Sequence, residues 1–267
     1  MTFHSQGDMM KKTIVMIHGM WSSSWYWENY KNYFNDRGYQ CHTPNLRYHD
    51  IDPKDEPDPR LGATSLLDYA QDLEEYIRKL DNKPILIGHS MGGLLAQILG
   101  ARGLANGLVL LTPASPSGIN ALKYSVIKSS WSILTKWGFW KKPNRISFEA
   151  AVYSILHLLP ELDQKAAYEN FVYESGKAAS EIGFWYLDSK GAAKVDEKKV
   201  TCPVLAISGA QDRITPASVV QKVAKKYQNV STYKEFESHA HWVIGESGWE
   251  KIVEFIYGWV NQKQLSP

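Results

Sequence analysis

The chain has 267 residues, 44% of them apolar and 22% charged, ordinary proportions for one globular domain with a sizeable buried core. Its net charge of +2, with no long Lys/Arg run, leaves no electrostatic footprint for nucleic acid. Cys41 and Cys202 are the only cysteines, too few for a disulfide framework and without the C-x-x-C spacing of metal or redox sites, so no metal is expected.

Residues 1–12 are polar and lack the apolar core of a signal peptide, so they are expected to form a tail. No later apolar run reaches membrane-spanning length, and a cytoplasmic protein is expected. Short apolar, β-branched runs then recur at 13–17, 39–42, 84–88, 107–112, 203–208 and 231–236, with helical patterns between them. This alternation is the signature of parallel strands joined by crossover helices. The first, third, fourth and fifth runs are nearly continuous in apolar residues, as strands covered on both faces require.

Between the strands, Trp27, Tyr30 and Phe34 repeat at helical spacing, as do Leu66, Tyr69, Leu73, Tyr76, Ile77 and Leu80 behind Thr64 as N-cap. After the last strand, Trp249, Ile252, Val253, Ile256, Trp259 and Val260 form one apolar stripe on a helix that packs back on the sheet. The pattern predicts a doubly wound α/β fold with a mainly parallel sheet of about six strands, its core formed by 13–114 and 200–267.

Residues 115–199 break this rhythm, because strands and helices of such sheets are usually joined by two to six residues. A helical insertion after the fourth strand is expected. It holds many large aromatics, Trp131, Trp137, Phe139, Trp140, Phe171 and Trp185 among them, which predicts that much of it folds over something apolar. Residues 137–142 combine aromatics with lysines, a mix that rests at membrane interfaces. A turn packed against the insertion is the preferred reading, and membrane contact is not expected.

Gly88-His89-Ser90-Met91-Gly92 follows the third strand and precedes an amphipathic helix start. It is a G-x-S-x-G sequence in the strand-to-helix setting where such a turn exposes a serine hydroxyl, with glycines where side chains would clash. A bare match arises by chance; its placement carries the weight. A serine hydroxyl is a weak nucleophile until a histidine takes its proton and a carboxylate orients that histidine. Asp212 follows the fifth strand, His239 and His241 follow the sixth, and the order Ser, Asp, His is the one such sheets carry. The carboxyl ends of parallel strands converge on one crevice, so Ser90, Asp212 and His241 are the expected catalytic residues. His241 is preferred to His239 because it runs directly towards the final helix, which leaves His239 as a solvated or packing residue. The developing oxyanion calls for backbone N–H donors after the serine and in the loop after the first strand, which selects Met91 and Met20. Trp21, beside that loop, is a candidate substrate-binding wall.

On His18-Gly19-Met20-Trp21, Gly88 to Gly93, Pro203 to Asp212 with Pro216, and His241 to Trp249, the chain resembles the α/β-hydrolase superfamily, on the side of its small lid-bearing bacterial esterases and lipases. Near its N-terminus it is also similar to plant methylesterases and hydroxynitrile lyases. The resemblance spans nearly the whole chain and implies that 115–199 is a lid over the crevice. It further implies ester hydrolysis through an acyl-Ser90 intermediate without a cofactor, on a small apolar substrate. Asn45, Tyr48 and His49 stand where relatives often show Asp, Gly and His, a loop departure, and no extra strands are expected before Thr13. A lyase or C–C hydrolase with the same three residues, or a ligand receptor, would share these motifs. A dehalogenase or epoxide hydrolase would carry Asp in place of Ser90.

Overall fold

The computed structural model describes residues 12–121, 123–227 and 229–265, so the expected tail lies outside the described residues except for Lys12. The chain runs β1 (Thr13–Ile17), α1 (Glu28–Asn35), β2 (Gln40–His42), α2 (Leu66–Ile77), β3 (Ile85–His89), α3 (Met91–Ala101) and β4 (Gly107–Leu111). An insert follows, with α4 (Tyr124–Leu134), β5 (Pro143–Asn144), α5 (Phe148–Ala151), α6 (Glu161–Glu169), β6 (Glu174–Ser175) and α7 (Gly176–Gly183). The chain then resumes with β7 (Val204–Gly209), α8 (Ala217–Lys226), β8 (Ser231–Phe236) and α9 (Trp249–Gln262).

Six strands form one sheet in the order β2-β1-β3-β4-β7-β8, and every neighbouring pair is parallel. The central strands are apolar throughout because alternate side chains feed two separate layers. Val15, Ile17, Leu86, Leu108 and Leu110 pack beneath α2 and α3. Ile14, Met16, Ile85, Ile87 and Val109 pack against Trp27, Tyr30 and Phe34 and against the Ile252, Val253, Ile256 and Val260 stripe of α9. The strand order reverses between β1 and β3, so a crevice opens at their carboxyl ends.

Residue 65, not Thr64, caps α2. The Ser65 hydroxyl accepts from Leu67 N–H and Asp68 reaches back to Ser65 N–H, a reciprocal box that Thr64 would place one residue early. Thr64 instead gives its carbonyl to the Ser175 hydroxyl.

Among the described residues the insert has no apolar cluster of its own. Ile146, Ala151, Ile155, Leu156 and Phe171 extend one sheet layer, and Ala178, Ala192, Ala193 and Val195 the other. One side of it is tied to the core by buried carboxylates. Glu181 accepts from the Ser65 hydroxyl and from Leu66 N–H at 2.8 Å, so the insert itself supplies an acceptor at the α2 N-terminus. Glu174 accepts from the Tyr69 hydroxyl at 2.7 Å and lies 3.1 Å from His49 Nε2, while His49 Nδ1 lies 3.0 Å from Arg47 O. Both His49 nitrogens face acceptors, an arrangement that favours the imidazolium form. Burial lowers its pKa, but the charge and hydrogen bond of Glu174 outweigh burial and raise it.

The turn at 137–142 packs against the insert through its backbone and Phe139: Gly176 N–H donates to Lys142 O at 3.1 Å, and a Cβ on Gly176 would lie 1.7 Å from Phe139 O. Its tryptophans do not share in that packing, and Trp137 is 87% exposed.

Candidate active site

β3 ends at His89 and α3 starts at Met91, so the change of direction falls on Ser90, which takes φ 53° and ψ −118°. A positive φ is strained for a residue with a side chain. Four hydrogen bonds hold it: Ser90 N–H donates to Leu111 O at 3.0 Å, and Ser90 O accepts from the Gly93 and Ala114 N–H groups, each at 2.9 Å, and from Leu94 N–H at 3.3 Å. The flanking glycines serve close approach. A Cβ on Gly92 would lie 2.1 Å from Ile17 O, and one on Gly88 2.2 Å from Gly92 O. A Cβ on Gly19 would lie 3.0 Å from that of Ser90, so the loop after β1 passes directly over the serine at the crevice.

Asp212 lies three residues beyond β7. Its Oδ1 accepts from Ile214 and Thr215 N–H groups at 2.8 and 2.9 Å, an Asx turn leading into α8. Its Oδ2 accepts from His241 Nδ1–H at 2.8 Å and lies 2.7 Å from the Thr215 hydroxyl. Burial would raise this carboxyl, but the charge and hydrogen bond of His241, with the Thr215 donors, hold it below the usual carboxylate range. It is an anion facing the imidazole.

The His241 backbone is held as firmly as its ring. Its carbonyl accepts from His89 Nε2–H at 2.8 Å and from the Thr112 hydroxyl at 3.2 Å. The N–H groups on either side of it, of Ala240 and Trp242, both donate to Glu246, at 2.8 and 3.0 Å. Thr112 has φ 41°, an outlier for a β-branched residue, and it sits where the sequence pattern extends β4 by one residue too many. His89 is neutral: burial, and then the proximity of His241, lower its pKa to about 3. His18 is likewise buried and lowered to about 3, chiefly by burial. Its Nδ1–H donates to Gly19 O at 2.9 Å and its Nε2 accepts from Leu46 N–H at 3.1 Å, which pins the loop over Ser90.

Ser90 and His241 line one cavity, walled by Met20, Trp21, Tyr26, Ile155 and Phe171. Its open space is about 10 Å³, room for one water. Of the insert's aromatics only Phe171 reaches this wall, joined by Ile155 from a turn of π-helix at Val152–Leu156. Trp21 has φ 60°, its indole N–H has no partner, and its carbonyl accepts from Val172 N–H of the insert at 3.0 Å. Met91 is the first residue of α3, so its N–H lacks an acceptor one turn back and lies at the positive end of the helix. Met20 borders the cavity directly after Gly19.

The structure thus brings Ser90, Asp212, His241, Met20 and Trp21 to one place, with Met91 beneath it. His239 stands apart. It is buried rather than solvated, and its Nδ1 lies 3.2 Å from Glu246 Oε2. Glu246, Thr112, Thr215 and Tyr26 escape a reading of the sequence. The only signals they leave are the spacing of Glu246 five residues beyond His241 and a Thr-Pro step after Asp212. Among the described residues no group of three or more His, Cys, Asp or Glu side chains could hold a metal ion.

The family model for the alpha/beta hydrolase family matches residues 14–255. Among solved structures, a methylesterase from Arabidopsis is similar over 94% of this chain and 99% of its own, with 14% identity and a TM-score of 0.70. A monoacylglycerol lipase from Paleococcus ferrophilus is 20% identical over 94% of each chain, with a TM-score of 0.68. Tomato methylketone synthase I, complexed with 2-tridecanone, is 17% identical over 95% of this chain and 99% of its own, with a TM-score of 0.71. No curated protein matches the chain.

Proposed function

The chain belongs to the α/β-hydrolase family, and from that premise we propose that it hydrolyses carboxylic esters with an apolar acyl or aromatic group through an acyl-Ser90 intermediate. The observation that carries this reading is the buried 2.8 Å contact between His241 Nδ1 and the Asp212 carboxylate, with His241 and Ser90 on one cavity. Asp212 selects the tautomer in which Nδ1 bears the proton and Nε2 is free to accept one. His241 then takes the Ser90 hydroxyl proton as Oγ attacks the ester carbonyl carbon.

The carbonyl oxygen becomes an oxyanion, which the Met20 and Met91 N–H groups receive. Collapse breaks the bond to the alkoxy group, and His241 delivers the proton to it as the alcohol leaves. A water molecule, deprotonated by His241, attacks the acyl carbon; the acid departs and the proton returns to Ser90. Trp21, Tyr26, Ile155 and Phe171 line the space where the acyl or aromatic group would sit, which favours an apolar substrate over a charged one.

Residues 115–199 act as the lid in this reading. With room for one water above Ser90, Ile155 and Phe171 have to withdraw before an ester enters. The buried Glu174 and Glu181 contacts favour a hinge on the β6–α7 side, with movement on the α4–α5 side.

The test is a p-nitrophenyl ester assay with a fluorophosphonate label. Ser90→Ala is expected to lower turnover by at least about a thousandfold and to abolish labelling. Full turnover in that variant, or labelling elsewhere than at Ser90, would sink the reading.

A further inference from the structure

The large exposed hydrophobic side chains among the described residues all lie within 124–187, that is, inside the insert. On α4 they are ordered. Tyr124, Ile127 and Trp131 follow an i, i+3, i+7 spacing and are 79%, 41% and 61% exposed, while Ser129 and Ile133 on the opposite face are buried. The apolar stripe of this helix therefore points outward, the reverse of a helix packed on a core. Trp137 and Trp140 follow in the chain, both exposed, and their rings meet edge to face with centroids 5.6 Å apart.

The charges along this stretch of the sequence are mostly cationic. Between Asp81 and Glu149 the chain has no acidic residue, and Lys123, Lys128, Lys136, Lys141, Lys142 and Arg145 fall within that interval. None of these six forms a salt bridge among the described residues. A groove of about 410 Å³ beside Trp137 is lined by Lys136, Lys142 and Arg145 and by no carboxylate. Three acids border this surface: Glu149, exposed and lining a groove along α4 with Tyr124, Ile127 and Trp131, and Glu181 and Asp188 near Trp140. Glu181 is turned onto Ser65, and Asp188 accepts from the Lys190 and Ala192 N–H groups.

An exposed apolar stripe rich in Trp, flanked by unpaired lysines with aliphatic stems, suits the boundary between lipid headgroups and acyl chains. We propose that the outer face of the insert, Tyr124, Ile127, Trp131, Trp137 and Trp140, docks on an anionic lipid membrane surface, with Lys136 and Lys142 in the groove beside Trp137 receiving a lipid phosphate, while Arg145 is held by the Pro53 and Tyr168 carbonyls. A protein partner or a second copy would fit the apolar stripe equally; the acid-free cationic interval favours an anionic bilayer. The inference does not depend on the hydrolytic reading, since it concerns a different face and is read by binding alone.

The test is cosedimentation of the full chain at low salt with vesicles of phosphatidylcholine containing about a third phosphatidylglycerol, against vesicles of phosphatidylcholine alone. The expected result is pelleting with the anionic vesicles that declines on replacing them with neutral ones and on raising the salt. A triple Trp131→Ala, Trp137→Ala, Trp140→Ala variant should pellet about tenfold less, with an unchanged melting temperature. A Lys136→Glu, Lys141→Glu, Lys142→Glu variant, which leaves the apolar stripe intact, should lose the preference for anionic vesicles. Wild-type protein remaining in the supernatant with anionic vesicles would overturn the proposal, as would equal pelleting of the tryptophan variant. So would a dimer in light scattering that the tryptophan variant abolishes while neither protein pellets.

Discussion

Glu246 accepts hydrogen bonds from His239, Ala240 and Trp242, and so encloses the backbone on both sides of His241. Glu246→Gln keeps the shape but turns one acceptor into a donor facing an N–H group, so the loop must shift. Misplacing a reacting group by about an ångström costs up to about a hundredfold in rate. On a soluble ester the variant is expected to lose ten- to a hundredfold in kcat, by roughly that argument, with KM little changed and the far-ultraviolet spectrum native. An unaltered kcat would show that the clamp does not position His241. At this scale the sequence was legible where chemistry imposes order: Ser90, Asp212 and His241 stand beyond the carboxyl ends of β3, β7 and β8 in a sequence of types that few other arrangements explain. Glu246 was not legible, because a glutamate ahead of a helix ordinarily reads as a solvated end, and only the fold reveals that it faces inward.

Secondary structure was legible to within a residue at most strand ends, since buried parallel strands must be apolar on both faces. The misplaced α2 cap marks a choice between two competent residues, Thr64 and Ser65. Asp68 stands three residues after Ser65 and closes the box there, and the insert adds to it by bringing Ser175 to Thr64 O and Glu181 to Ser65 and Leu66. Glu181→Ala removes the acceptor of the Leu66 N–H and the Ser65 hydroxyl. The expected loss is about 1–3 kcal/mol, read as a lower urea midpoint with an unchanged slope. A midpoint equal to that of the wild type would show that water replaces the carboxylate at no cost.

The sheet and its two layers followed from periodicity, but the direction in which the insert's aromatics face did not, because aromatic spacing on a helix is the same whether the stripe covers a core or points outward. For the molecule as a whole, the neutral His18 and His89 set a response to acid. Each has a pKa of about 3 in the fold against about 6.5 in an unfolded chain. Between those values the unfolded chain binds protons that the folded one does not, so stability is full above about 6.5 and falls as pH drops. His49 has the opposite sign, its raised pKa adding stability at low pH that is lost as pH rises through the folded value. His42 and His157 are lowered as well, chiefly by burial, so four lowered rings against one raised ring leave net acid destabilisation, of which His18 and His89 supply up to about 4 kcal/mol between about pH 7 and pH 5. Urea unfolding at the two pH values measures it, and identical midpoints would refute it. The space above Ser90, just large enough for one water, also bears on any affinity measured at this cavity. If the insert opens as proposed, a ligand larger than water binds only the open molecules, so the observed dissociation constant is the intrinsic one divided by the open fraction. If about one molecule in ten is open, apparent affinity is about tenfold weaker, and anything that favours the open form tightens binding without touching the ligand.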